Sequence, residues 1–174
     1  MIDMPFLRSV RLPHGIAGEL WLGPMPGRLR PFNDDLDALR AQRIDRIVNL
    51  ASIAEIEKKA PDYANTLATG MEIDTVHFPV ADFGIPADET GFFLLAGQIA
   101  AALERGDGIF VHCAAGIGRT GTMAICVLLA LGLKAGAATT LVANAGSGPE
   151  TETQKALVGR CAGLPQSQSF ETSV

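Results

Sequence analysis

The sequence has little lysine, few aromatic residues other than phenylalanine, and little cysteine. Its 174 residues include one Trp, one Tyr and three Cys, and the formal net charge is −5. No basic cluster appears, so nucleic acid and anionic membranes are poor partners for this chain. The longest apolar stretch, 120–133, is too short to span a bilayer, and the N-terminus shows no secretory signal. We therefore expect a soluble globular protein that binds neither nucleic acid nor membrane.

The cysteines are odd in number and far apart: Cys113, Cys126 and Cys161. This usage argues against a disulfide framework and predicts a reducing, cytoplasmic environment. No His, Cys or carboxylate cluster has the spacing of metal ligands, so we predict no metal and no other cofactor.

Apolar runs that alternate with helical patterns indicate the fold. Strands are predicted at 10–12, 19–22, 46–50, 74–78 and 109–111, and helices at 33–43, 54–60, 88–104, 122–133, 135–144 and 152–162. This alternation predicts an α/β protein with a single mainly parallel central sheet, flanked by helices on both faces. We expect residues 1–164 to form one domain and residues 165–174 a frayed polar tail. Functional groups are then expected at the carboxyl ends of the strands.

One segment carries the strongest functional signal: His112-Cys113-Ala114-Ala115-Gly116-Ile117-Gly118-Arg119-Thr120-Gly121. It lies between an apolar strand and an apolar helix, so its backbone N–H groups are expected to face one concavity at the positive end of a helix dipole. That geometry binds a phosphate-like dianion, over which Arg119 can close with a planar two-pronged donor. A positive field also favours the thiolate form of a cysteine, which makes Cys113 a candidate nucleophile. The segment predicts phosphate monoester hydrolysis through a phosphocysteine, with an oxyanion bound by Ala114, Ala115, Gly116, Ile117, Gly118 and Arg119.

Two nucleotide-binding motifs also place glycines between a strand and a helix, but the sequence fits neither. The dinucleotide fingerprint, satisfied by Gly116, Gly118 and Gly121, expects an acidic residue about 20 positions further on. No Asp or Glu lies between Asp107 and Glu150. A Walker-type loop needs a lysine where Thr122 stands.

A plain glycine-rich turn with a buried thiol is the simplest structural interpretation of the segment. It leaves the cation of Arg119 unexplained, because helix N-termini disfavour cations. The anion-binding interpretation gives this arginine a role, and we therefore prefer it.

The segment from His112 to Gly121 resembles the signature of the cysteine-dependent protein tyrosine and dual-specificity phosphatase superfamily and, within it, of the kinase-associated dual-specificity phosphatases. Segments 20–27, 79–86 and 148–154 occur in the order in which that family places its first strand, acid loop and final loop. The resemblance implies that His112 orients the loop and that Gln154 positions a water for the second step. Thr120 could donate its hydroxyl proton to the leaving thiolate. Each of these side chains also has a simpler explanation. These are burial at a strand end for His112, a solvent-facing helix position for Gln154 and helix capping for Thr120.

The reaction also needs a proton donor for the leaving group. We predict Asp82, which follows a strand end within a loop that contains Gly84 and Pro86. Asp88 is the competitor, but it is better placed as the cap of the next helix. The tryptophan-proline pair that precedes the acid in the classical tyrosine-specific branch is absent, and this favours the dual-specificity type.

We therefore expect a metal-independent phosphomonoesterase that acts on a phosphorylated protein or a small phosphomonoester. A phosphoinositide or other small-molecule phosphatase is the first alternative, but Ala114, Ala115 and Ile117 supply no charge for a polyanionic substrate. A phosphate-binding module without turnover is the second. The preference between phosphotyrosine and phosphoserine or phosphothreonine stays open.

Overall fold

A five-stranded sheet lies at the centre of the computed structural model, which describes residues 4–165. Its strands are β1 (Arg8–Val10), β2 (Glu19–Gly23), β3 (Arg46–Asn49), β4 (Asp74–His77) and β5 (Gly108–His112). The spatial order is β1-β2-β5-β3-β4. β2, β5, β3 and β4 run parallel, and β1 pairs with β2 in the antiparallel direction. The predicted mainly parallel sheet is confirmed.

Helices cover both faces of this sheet, as predicted. They are α1 (Phe32–Ala41), α2 (Ile53–Lys59), α3 (Pro61–Thr69), α4 (Glu89–Arg105), α5 (Gly118–Ala130), α6 (Ala135–Asn144) and α7 (Glu152–Ala162). Residues of α1, α2 and α3 share one apolar cluster with Phe110, whereas α4 to α7 share another with Ile109 and Val111. Successive residues of a strand point to opposite faces, so the central strand β5 supplies side chains to both clusters.

Three elements differ from the sequence prediction. The short helix α3 was not predicted, because Tyr63 is its one fully buried side chain and gives no apolar period. The first strand lies at Arg8–Val10 rather than at 10–12. Helix α5 begins at Gly118 rather than at 122, since the N–H of Gly121 already donates to the carbonyl of Ile117. Arg119 and Thr120 therefore lie in the first helical turn.

No helix within residues 4–165 has the length and apolar character needed to cross a membrane. Residues 166–174, most of the predicted tail, lie outside the described part of the chain.

Close packing at the start of α5 gives a stability prediction. A Cβ atom at Gly121 would collide with the backbone of Gly148, whereas one at Gly136 in α6 would meet no atom within 4 Å. We expect Gly121→Ala to lower the free energy of unfolding by roughly 1–3 kcal/mol, the usual effect of overpacking. The control Gly136→Ala should leave it unchanged or raise it by about 0.5–1 kcal/mol, because alanine favours helix. Urea denaturation measures both, and equal stability of the two variants would contradict this account of the packing.

Candidate active site

Donors outside the loop hold the carbonyl groups of the predicted anion loop, residues 113–119. The oxygen of Ala114 accepts from the backbone N–H of Met25 (3.1 Å) and from Nη1 of Arg28 (2.9 Å). Both donors lie just after β2, the strand next to β5 in the sheet. The orientation of the Ala114 peptide is therefore set by the neighbouring parallel strand.

The carbonyl of Gly116 is held in the same way from another side. It accepts from Nη2 of Arg8 (2.5 Å) and from Oγ of Ser147 (2.7 Å). Gly116 has a φ of +73°, and a Cβ there would collide with the backbone of Gly23. Only glycine fits this position, because the left-handed conformation and the close approach both exclude a side chain.

Because these two carbonyl groups point out of the loop, the N–H groups of the same peptides point into it. In a trans peptide the C=O and N–H bonds point in opposite directions, so binding the carbonyls of Ala114 and Gly116 from outside turns the N–H groups of Ala115 and Ile117 into the loop. Within residues 4–165, no acceptor pairs with the backbone N–H groups of residues 114–119. Such a set of unpaired donors at a helix N-terminus can bind a phosphate dianion.

Cys113 follows β5 directly and lies at the base of this loop. It is a free thiol with only 3% of its surface exposed. The other two cysteines lie elsewhere: Cys126 is buried within α5, and Cys161 is half-buried in α7. The loop therefore contains one nucleophilic side chain.

Arg119 is buried and makes two ion pairs. Nη1 donates to Glu55 Oε2 (2.8 Å), and Nη2 donates to Glu55 Oε1 (3.0 Å) and to Asp82 Oδ1 (2.9 Å). Nη1 also donates to the carbonyl of Val80 (2.9 Å). The sequence analysis offered no partner for this cation, and in the structure two carboxylates from distant segments pair with it. Burial acts to lower the pKa of Arg119, but the hydrogen bond to Glu55 and the surrounding negative charges together raise it above its ordinary value.

The sequence analysis missed Glu55. Its carboxylate is placed by a capping box at the start of α2, in which Ser52 Oγ accepts from the Glu55 N–H and Glu55 Oε2 accepts from the Ser52 N–H. Hydrogen bonding to Arg119 lowers the pKa of Glu55 from its ordinary value of 4.5. The Ser-x-x-Glu pattern was a signal for the cap, but it did not indicate the arginine.

The structure brings Asp82, and not Asp88, to the anion loop. Asp82 lies in the acid loop, residues 79–86, and its half-exposed side chain pairs with Arg119. Asp88 instead accepts from the N–H of Gly91 (2.9 Å) as the N-cap of α4, as predicted. Of the two carboxyl groups, Asp82 is therefore the one that contacts the arginine of the anion loop.

Gln154 joins α7 to the acid loop. Its Nε2 donates to the carbonyl of Gly84 (3.1 Å), and its Oε1 accepts from the N–H of Glu150 (2.8 Å). The side chain is buried, so the alternative of a solvent-facing position is wrong. Thr151, the N-cap of α7, donates to the carbonyl of Phe83 (3.3 Å). The bonds from Gln154 to Gly84 and from Thr151 to Phe83 fix the acid loop beside the anion loop.

Phe83 has an unusual conformation within this loop. Its φ is +58°, a region that bulky residues rarely adopt, and its side chain is 59% exposed. The strain places an aromatic ring next to Asp82 and in solvent, where it can contact a bound ligand.

His112 and Tyr63 form a buried pair beneath Cys113. Burial lowers the pKa of His112 to about 4, so its ring is neutral at neutral pH. Nδ1 therefore donates to the carbonyl of Cys113 (3.0 Å), and Nε2 accepts from the Tyr63 hydroxyl (2.9 Å). Tyr63 comes from the unpredicted helix α3, which explains why the sequence did not indicate it.

Thr120 lies in the first turn of α5. Its hydroxyl is fully buried and has no hydrogen-bond partner among the described residues. A buried hydroxyl without a partner is unfavourable, so this group is available to a ligand or to a thiolate. Within residues 4–165, no group of three or more His, Cys, Asp or Glu side chains is arranged to hold a metal ion.

A family model matches residues 23–133, more than half of the chain, and its description is a DSP-PTPase phosphatase of polymorphic toxin systems. A sequence comparison with curated proteins gives no match.

Solved structures resemble the chain over most of its length. A kinase-associated phosphatase with its catalytic-site cysteine replaced by serine has a TM-score of 0.78 at 20% identity, covering 95% of this chain and all of the other. Tk-PTP in its active form has a TM-score of 0.69 at 21% identity, covering 92% and 98%. PTPMT1 in complex with PI(5)P has a TM-score of 0.65 at 15% identity, covering 82% and 89%. These likenesses confirm the predicted fold.

The ion pair between Glu55 and Arg119 gives a prediction. Glu55→Gln removes one charge from a buried guanidinium, and we expect the free energy of unfolding at pH 7 to fall by roughly 1–3 kcal/mol. Because the pKa of Glu55 is lowered in the folded protein, its contribution is present above pH 4.5 and is lost as the pH falls through the lowered value. The difference between wild type and variant should therefore shrink in acid. Urea denaturation at neutral and acidic pH measures it, with the exposed residue of the same helix, Glu57→Gln, as control; equal effects of the two substitutions would contradict the pairing.

Proposed function

Because the chain belongs to the DSP-PTPase phosphatase family of polymorphic toxin systems, we propose that it hydrolyses phosphomonoesters through a phosphocysteine on Cys113. Members of this family are cysteine-dependent phosphatases of the dual-specificity type. The observation that carries the proposal is the anion loop, where the N–H groups of residues 114–119 have no acceptor among the described residues and Cys113 is a buried free thiol. We assign this activity to residues 1–164 acting as one domain.

In the first step, the phosphoryl group of the substrate binds to the N–H groups of residues 114–119. The thiolate of Cys113 attacks phosphorus and forms the S–P bond as the P–O bond to the leaving group breaks. Asp82 gives its proton to the departing oxygen. In the second step, water held by Gln154 attacks the phosphocysteine, passes a proton to Asp82 and releases inorganic phosphate. The hydroxyl of Thr120 stabilises the thiolate that leaves.

Arg119 couples the binding of the phosphoryl group to the release of the Asp82 side chain. At rest its Nη groups bind Glu55, Asp82 and the carbonyl of Val80. A phosphate dianion competes with the Asp82 carboxylate for the same guanidinium and frees it. The freed carboxylate takes up a proton from solvent, and this is the proton that it gives to the departing oxygen in the first step. Glu55 accepts from both Nη groups and keeps the guanidinium plane in place, which a bidentate contact requires.

The proposed substrate is a phosphorylated protein, in a reducing compartment such as the cytoplasm where the free thiol persists. The exposed ring of Phe83 offers a flat surface beside Asp82 for the substrate. A phosphoinositide substrate is the alternative, because PTPMT1 is seen with PI(5)P. The uncharged side chains of Ala114, Ala115 and Ile117 weigh against it, since polyanionic headgroups need additional cations.

Turnover of p-nitrophenyl phosphate in the presence of a chelator tests the proposed function. The wild-type protein should hydrolyse it, and Cys113→Ser should lower kcat by at least about a thousandfold, because a hydroxyl is a poor nucleophile here. The matched control Cys126→Ser should remain active. Phosphate or vanadate should protect Cys113 from iodoacetate. Preferential labelling of Cys126 or Cys161 with activity retained would overturn the assignment, and turnover that is lost in chelator would reject metal independence.

The assignment of the acid gives a further prediction. Asp82→Asn should lower kcat/KM by about 10²–10⁴-fold for esters with poor leaving groups and much less for those with good ones, because a weakly basic phenoxide can depart unprotonated. The basic limb of the pH–rate profile should flatten in the same variant. Asp88→Asn is the comparison, and a flattened profile in that variant instead would move the acid to Asp88.

A further inference from the structure

A groove lies between α2 and the acid loop, and the proposed mechanism does not use it. Its volume is about 510 Å³, a size typical of ligand pockets. One wall is α2 with its cap, and the other is the segment 79–82 of the acid loop. Glu55 and Asp82 line the groove from the two sides, and both pair with Arg119. The groove therefore begins at the arginine to which the phosphoryl group is proposed to bind.

Two adjacent lysines, Lys58 and Lys59, line the α2 side of this groove. Lys59 Nζ lies 3.5 Å from Glu55 Oε1, which also accepts a hydrogen bond from Arg119. Lys58 is exposed and forms no ion pair or hydrogen bond with any residue between 4 and 165. Both lysines lie in the last turn of α2, where cations are favoured, but the partial charge of a helix end is only about half an elementary charge. Lys58 is therefore available to an anion in the groove.

Positive charge is in excess around the groove, in contrast to the chain as a whole. Three cations, the two lysines and Arg119, accompany two carboxylates there, those of Glu55 and Asp82. The chain has a net charge of −5, and two of its four lysines lie at this place. In the proposed reaction Asp82 takes up a proton when the phosphoryl group binds, which removes one of the two negative charges. A second anion beside the phosphoryl group is then attracted to the groove, although the protein is acidic overall.

The groove lies on the side of the leaving group. Asp82, which is proposed to protonate the departing oxygen, forms part of its wall. Consecutive residues of an extended peptide are about 3.3–3.6 Å apart, so a residue one or two positions from the phosphorylated one lies within roughly 7 Å of it. Apart from the two carboxylates and the two lysines, the side chains that line the groove carry no charge. The lysines are therefore the groups that can select an anionic neighbour.

We propose that this groove is a substrate subsite, in which Lys58 binds an anionic group one or two residues from the phosphorylated residue of a protein substrate. The anion is a carboxylate or a second phosphate, since both accept charge-assisted hydrogen bonds from an ammonium group. The proposal rests on the proposed function, in which the phosphoryl group binds at the anion loop. A peptide is favoured over a phosphoinositide because one unpaired lysine suits one neighbouring anion, whereas a polyphosphorylated headgroup needs several cations.

Phosphopeptides that differ only in the residues beside the phosphorylated one test the subsite. These neighbours are Asp, Asn or phosphoserine, and each peptide is made with phosphotyrosine and with phosphothreonine as the scissile residue. The wild-type kcat/KM for the Asp peptide should exceed that for the Asn peptide about two- to fivefold, the effect expected of an exposed ion pair. The phosphoserine peptide shows which of the two anions fits better, and mass spectrometry identifies the phosphate that is lost.

Variants of Lys58 identify the group that makes the selection. Lys58→Gln should lower the ratio of the Asp to the Asn peptide to about one, Lys58→Arg should keep the wild-type ratio, and Lys58→Glu should reverse the preference. The matched control Lys134→Gln removes the same charge from the N-cap of α6, outside the groove, and should keep the wild-type ratio. High salt should reduce the wild-type ratio, because it screens exposed charges.

Several outcomes would overturn the subsite: equal turnover of the Asp and Asn peptides by the wild type, a preference that persists in Lys58→Gln, or an equal loss in Lys134→Gln. A stronger dependence on Lys58 for a short-chain phosphoinositide than for the peptides would overturn the choice of a protein substrate.

Calorimetric binding of the same peptides to Cys113→Ser, with and without Lys58→Gln, measures the preference without turnover. Selective binding that depends on Lys58, together with a wild-type protein that hydrolyses no substrate, would reject the proposed function alone. Hydrolysis of p-nitrophenyl phosphate without any preference between the peptides would reject the subsite alone.

Discussion

The orientation of two peptides, those of Ala114 and Gly116, is the constraint on which the candidate site depends. Their carbonyls would fill or repel the anion position if they turned inward. Four donors from three separate segments prevent this: Arg8 in β1, Met25 and Arg28 after β2, and Ser147 before α7. The sheet order puts β2 next to β5, and the close packing of α5 on Gly148 brings the last of these segments to the loop.

Charge is distributed unevenly around this loop. Arg119 is balanced by Glu55 and Asp82, so one guanidinium holds the capping box of α2 and the acid loop against α5. Gln154 and Thr151 hold the acid loop from its other side. In the proposed reaction an arriving phosphate dianion replaces Asp82 at Arg119, while the hydrogen bonds from Gln154 and Thr151 to the acid loop stay in place. The geometry is therefore largely formed before substrate binds, which reduces the free energy needed to order it during the reaction.

Local signals made the fold predictable and singled out the candidate site residues. The strand, small-residue loop and helix around Cys113 are contiguous in sequence, and the caps Ser52 and Asp88 follow known local patterns. The partners that complete the site could not be predicted, because no local pattern records a contact between segments 49 residues apart, as for Tyr63 with His112, or 64 apart, as for Glu55 with Arg119. Arg8 is the extreme case at a separation of 108 residues. A short helix with one buried side chain, α3, escaped prediction because periodicity needs several apolar positions.

Direct trapping of the phosphorylated intermediate tests the central claim. Rapid acid quench of the wild-type protein during turnover, followed by peptide mass spectrometry, should find phosphate on the peptide that contains Cys113. Cys113→Ser treated in the same way should carry none in the burst phase. A phosphorylated peptide from another part of the chain, or turnover with an initial burst of product and no phosphate on any peptide, would contradict a phosphocysteine mechanism at this loop.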